Sequence, residues 1–124
     1  KVARNVLKHR RRCRALVLVA DQSPGQRDNV YWTQWLNQPT AFFTGPATIA
    51  QLTQFPVMFA RCRRESRGHY HLQLMPITEA PGQATPEEII EAYACVAEES
   101  IREEPESFLW SNRRWKHQPP DDLA

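Results

Sequence analysis

TPEEIIEAYACVAEESIREEP, residues 85–105, is the clearest local signal in the chain. Thr85, Pro86 and Glu88 supply an N-cap, a first-turn proline and a glutamate three residues after the cap, the pattern of a capping box. Glu87 and Glu88 also suit the positive end of a helix dipole. Ile89, Ile90, Tyr93, Val96, Ala97 and Ile101 fall on one apolar stripe, and Pro105 stops the run. The stretch predicts a helix over 86–104 whose stripe packs on a sheet and whose glutamates face water.

Upstream, PVMFARCR (56–63) and GHYHLQLMPI (68–77) read as two strands joined by the short link RESRG, hence a hairpin. In the second strand Tyr70, Leu72 and Leu74 alternate with His69, His71 and Gln73, giving one apolar and one polar face. His69 and His71 share a side, but no third metal ligand is near, so they read as solvent-facing histidines and no metal is expected. Before them, Ala41-Phe42-Phe43 reads as a short strand or turn. Gly45-Pro46 then opens a helix with Ile49, Leu52 and Phe55 toward the core. Residues 26–40 read as a long aromatic loop. ALVLVADQSPG (15–25) is an apolar run closed by turn residues, which predicts a strand buried on both faces. Ligands in open α/β sheets sit beyond the carboxyl ends of such strands, where Asp21 and Gln22 lie; a turn-capping role for Asp21 fits equally. The expected fold class is α/β, a mixed sheet with flanking helices.

The totals fit one globular domain: 124 residues, 41% hydrophobic, 24% charged, net charge +2. Charge is uneven. Residues 1–14 hold seven Lys or Arg and no acid, while residues 85–106 hold eight Glu and one Arg. Residues 1–14 read as a basic helix or linker, 15–116 as the folded piece, and 117–124 as a frayed tail. The three cysteines are widely spaced. They read as reduced buried thiols without a zinc site. No run reads as apolar enough to span a membrane, and none reads as a signal peptide. The chain starts without Met, which suggests a piece of something longer.

No phosphate-binding glycine loop, no G-x-S-x-G elbow and no nucleophile beside a histidine is present. What stands out is SFLWSNRRWKHQPP, residues 107–120. Arg113, Arg114 and Lys116 suit phosphate groups. Trp110 and Trp115 suit a membrane interface. The plainer alternative has Trp110 closing the core and the arginines pairing with the glutamate face.

VADQSPG, WLNQPTAFFTGPATIA, PVMFARCRRESRGHYHLQL and TPEEIIEAYACVAEESIREEPESFLWSNRRWK, in that order, resemble the C-terminal half of a bacterial lipid A biosynthesis acyltransferase of the lauroyl/myristoyl type. FFTGPA and the WSNRRWK ending are the most specific parts. The resemblance implies transfer of an acyl chain from acyl carrier protein to a hydroxyl of a phosphorylated glycolipid, without a cofactor, at the cytoplasmic face of the inner membrane. It implies that Asp21 and Gln22 face the site and that Phe42, Phe43 and Gly45 line an acyl or acceptor cleft. Arg113, Arg114 and Lys116 would meet phosphates or acidic acyl carrier protein, and the basic ends an anionic membrane.

The family's general base is a histidine with an acid five positions later, placed upstream beside a membrane anchor. Here His9, His69 and His71 are followed at that spacing by Arg14, Leu74 and Pro76. His117 has Asp122, but beyond the family's last motif. The family commonly has His where this chain has Asn112. The expectation is a segment inactive alone, with an exposed apolar sheet surface for the missing half, through which isolated copies can also dimerise. The alternative is a non-catalytic module that binds single-stranded nucleic acid through residues 8–14 and the aromatics 31–35. The acidic helix and low net charge speak against nucleic acid as a partner.

Overall fold

The structure, a computed structural model, describes residues 2–9 and 11–121. Helix α1 (Val2–Lys8) is followed by hairpin β1 (Val30–Trp35) and β2 (Gln38–Phe43), helix α2 (Gly45–Thr53), hairpin β3 (Val57–Ser66) and β4 (His69–Thr78), and helix α3 (Pro86–Glu103). Short 3-10 turns at Pro81–Gln83 and Pro105–Ser107 flank α3. Helices alternate with two-stranded hairpins, consistent with the expected α/β class. The sheet component is two separate antiparallel pairs, β1–β2 and β3–β4.

Helix α3 forms as its sequence predicts. The Thr85 hydroxyl accepts from the Glu88 N–H at 3.2 Å, and the Glu88 carboxylate accepts from the Thr85 N–H at 2.7 Å. Ile89, Ile90, Ala94, Ala97 and Ile101 are buried, with Tyr93 packed beside them. Trp35 and Phe42 of the first hairpin and Ala47 and Ala50 of α2 complete this core. Small alanines let α2 lie close to α3.

Several expectations are corrected. Residues 26–40 are not one long loop, because β1 and the start of β2 occupy most of them from Val30 on. The two-residue turn Leu36-Asn37 joins the strands, with φ of 52° and 63°. Tyr31 and Trp35 share one face and reach α3, where the Tyr31 hydroxyl donates to Glu91 at 2.8 Å and the Trp35 indole donates to the Ala94 carbonyl at 3.0 Å. The run 15–20 is not a buried strand. Val17 is 92% exposed and Val19 61%, and no strand pairs with it among the described residues. A strand buried on both faces requires paired edges and a layer above and below, which these residues lack. Leu52 is exposed rather than in the core, while Ala47, Ala50 and Thr53 make the buried face of α2. All three cysteines are exposed.

The second hairpin is as expected, with His69 and His71 exposed. Its apolar face is exposed too, as Tyr70, Leu72 and Leu74 show. Helix α1 lies against α2, with Val6 buried.

Candidate functional site at the tryptophan and arginine ending

After α3 the chain turns at Pro105–Ser107 and runs back across the first hairpin. Trp115 and Arg114 hold it there. The Trp115 indole donates to the Thr40 hydroxyl at 2.8 Å, and Thr40, fully buried, donates to the Gln38 carbonyl at 3.0 Å. Arg114 is 1% exposed. It donates to the Ala41 carbonyl at 2.8 Å. Its guanidinium carbon sits 4.7 Å from the Phe42 ring centre and 5.6 Å from that of Trp35.

Among the described residues no carboxylate forms an ion pair with Arg114, and its Nε has no partner. Two aromatic faces and one carbonyl therefore compensate the buried charge. Burial lowers the Arg114 pKa, opposed by Tyr93 and Asp21. Arginine starts so high that it stays a cation at neutral pH.

Tyr93 also packs against Phe42, edge to face, ring centres 6.2 Å apart at 82°. Burial pushes its pKa up to about 12, with the Asp21 charge adding to the rise and Arg114 opposing it. Asp21 is thus within electrostatic reach of Tyr93 and Arg114. The segment after it is pinned to the C-terminal ending. The Ser23 hydroxyl donates to the Arg113 carbonyl at 3.1 Å and also contacts that of Arg114. The His117 ring donates to the Pro24 carbonyl at 2.8 Å.

The fold therefore brings Phe42 and Arg114 together at one end of the first hairpin, with Ser23 and Pro24, which follow Asp21 and Gln22, held to the C-terminal ending beside them. Phe43 is half-buried, and Gly45 follows at the start of α2. A Cβ at Gly45 would stand 3.1 Å from the Phe43 ring, so the two are fitted to each other. Gln22, Arg113 and Lys116 are exposed. Phe42 and Arg114 are buried beneath this surface and not open to an outside ligand. The closing role weighed for Trp110 belongs to Trp115. Trp110 is 55% exposed, packs edge to face with Phe108 and donates to the Pro105 carbonyl at 2.6 Å. Among the described residues the arginines of this ending form no ion pair with the glutamates of α3. Glu98 and Glu103 of α3 and Glu104 just after it take Arg102, Arg61 and Arg63 instead.

Trp35, Thr40, Tyr93 and Trp115 were not legible as parts of this cluster. Tyr93 reads as an ordinary stripe residue, and Trp35 as part of a loop. Their shared signal is a tryptophan-rich surrounding for an arginine that no neighbouring acid claims.

His117 turns its Nε2 to Pro24, and Asp122 lies outside the described residues, as do Lys1 and Arg10. Among the described residues no three His, Cys, Asp or Glu side chains are placed to hold a metal ion. No helix among them is long and apolar enough to cross a membrane. A groove of about 560 Å³ lies along α3, lined by Gln34, Glu91, Cys95, Glu98, Glu99 and Arg102 among others. It includes none of the residues named above for the site.

Residues 3–117 match the family model of the bacterial lipid A biosynthesis acyltransferases. No curated protein matches the chain. The matched span takes in the Asp-Gln segment, both hairpins, the acidic helix and the tryptophan and arginine ending. The chain belongs to the bacterial lipid A biosynthesis acyltransferase family.

Proposed function

We propose that this chain is the C-terminal portion of an enzyme that moves a fatty acyl group from acyl carrier protein to a hydroxyl of a phosphorylated lipid A precursor, at the cytoplasmic face of the inner membrane. The family match over residues 3–117 carries the reading. In the reaction the acceptor oxygen attacks the thioester carbonyl, the carbon–sulfur bond breaks and an ester forms. A general base takes the hydroxyl proton and passes it to the departing thiolate. That base is a histidine with its acid outside residues 1–124, and the 124-residue segment is inactive alone.

This segment's part is binding. Exposed Arg113 and Lys116 meet the acceptor's phosphates or the acidic surface of acyl carrier protein. Asp21 and Gln22 border the cleft. Phe43 and Gly45 form its apolar wall, and Phe42 and Arg114 hold that wall from beneath. The exposed basic residues of the N-terminal segment draw the protein to anionic lipid.

The test is a transfer assay with the polypeptide at its native length, an acyl carrier protein thioester and a lipid A precursor. Reversing Arg113 and Lys116 to Glu should raise KM for the acceptor about tenfold with kcat little changed, the pattern of lost ground-state binding. Residues 1–124 alone should transfer nothing. No transfer by the native-length protein would end the reading. Salt-sensitive binding of single-stranded nucleic acid would replace it with the binding-module alternative.

A further inference from the structure

Strand register gives hairpin β3–β4 two unlike faces. On one, Val57, Phe59 and Ile77 pack toward the core, and Arg61 and Arg63 pair with Glu103 and Glu104 of the α3 end. The other face is apolar. Met58, Ala60 and Cys62 stand in register with Pro76, Leu74 and Leu72, and Arg64 stands opposite Tyr70 at the far end. Met58 is 48% exposed, Leu74 60%, Leu72 63% and Tyr70 64%.

The charge beside this strip is of one sign. Arg64 ends it and Arg67 lies in the turn beyond, both exposed. Neither makes an ion pair among the described residues. The hairpin's acid, Glu65, sits 3.5 Å from His71 on the opposite face.

A specific interface between separate proteins uses roughly 20–30 residues a side. Met58, Ala60, Cys62, Tyr70, Leu72 and Leu74 fall well short of that. A bilayer asks for no matching shape. Apolar side chains beside unpaired arginines are the composition that binds an anionic lipid interface. We propose that this face of β3–β4 is the contact surface for a bilayer of anionic phospholipid. The leucines and Met58 reach the upper acyl region, Tyr70 sits at the interface, and Arg64 and Arg67 reach phosphates. The hairpin lies flat and shallow, because the outer edges of both strands carry unpaired N–H and C=O groups that cannot enter hydrocarbon. The proposal deepens the acyl-transfer reading and rests on it for the membrane-borne acceptor.

The experiment uses the native-length protein with every cysteine other than Cys62 replaced by Ser, Cys13→Ser and Cys95→Ser among them, and an environment-sensitive dye on Cys62. Vesicles of phosphatidylcholine, with and without phosphatidylglycerol, are titrated in. A blue shift with the anionic vesicles is expected. Leu72→Glu with Leu74→Glu should abolish it. Arg64→Glu with Arg67→Glu should weaken binding at least about fivefold. Circular dichroism should show both variants folded, since these side chains are outside the core. No shift with any vesicle would overturn the proposal. So would a Cys62 thiol that resists labelling before lipid is added, or a dimer abolished by Leu72→Glu, because protein and not lipid would then cover the face. Transfer to a detergent-solubilised acceptor needs no bilayer. Its failure would therefore strike the acyl-transfer reading alone.

Discussion

Arg114 shows how one residue can hold a fold without an ion pair. It stands at the crossing of the C-terminal ending with β2, bonded to the Ala41 carbonyl and capped by Phe42 and Trp35. A hydrogen bond from a charged donor contributes about 1.5–3 kcal/mol, and a desolvated cation–π contact about 2 kcal/mol. The cost of burying the charge offsets part of this. Arg114→Leu should therefore lower stability by about 2 kcal/mol, read as a fall in the urea midpoint. Arg114→Lys should recover little of it, because an ammonium lacks the planar, weakly hydrated guanidinium that contacts both rings and the Ala41 carbonyl. Thr40→Val tests the neighbouring contact. It leaves the half-buried Trp115 indole N–H without its partner and should cost about 1–2 kcal/mol.

At the scale of elements, the two ends of α3 are held by different chemistry. Its start is the capping box, and Thr85→Ala should cost about 1 kcal/mol in thermal unfolding. Toward its end, Glu98 accepts from the Leu36 N–H at 2.9 Å and takes Arg102 at 2.6 Å. Leu36 carries the left-handed φ of 52°, which an ordinary side chain rarely adopts. Glu98 thus ties a strained hairpin turn to the helix. The Leu36 N–H and then Arg102 hold the Glu98 carboxyl below its ordinary value. A depressed folded pKa stabilises the chain fully above the ordinary glutamate range, and the contribution fades as pH falls through the folded value. Glu98→Gln should accordingly flatten the loss of stability between neutral pH and about pH 3, measured by urea midpoints along that range.

At the scale of the whole molecule, the core is one-sided. The first hairpin, α2 and α3 share it, while the outer face of the second hairpin and residues 17–19 stay exposed. Leu72→Glu should therefore change the melting temperature of the segment by less than about 2 °C, within the range of a surface substitution. A fall of several degrees would mean that this face is packed in the folded molecule. The exposed thiols make the same point. Cys13, Cys62 and Cys95 should all react with a thiol reagent without denaturant.

Sequence alone determined the parts whose physics is local. The cap and stripe of α3, the hairpin around Gly68 and the proline that opens α2 depend on neighbours within a few residues, and they stand where the sequence puts them. The family was legible for a related reason: FFTGPA and WSNRRWK are contiguous words. Tertiary structure decided what depends on distant partners. The run 15–20 has strand composition, but a strand requires another strand beside it, and composition cannot supply one. The segment 26–40 looks irregular, yet α3 gives Tyr31, Trp35 and Leu36 their partners and turns it into a hairpin. Nor could the order Asn-Arg-Arg-Trp-Lys tell which arginine would be sealed beneath the surface. That followed from where the Trp35 and Phe42 rings came to lie, 79 and 72 residues away in the chain.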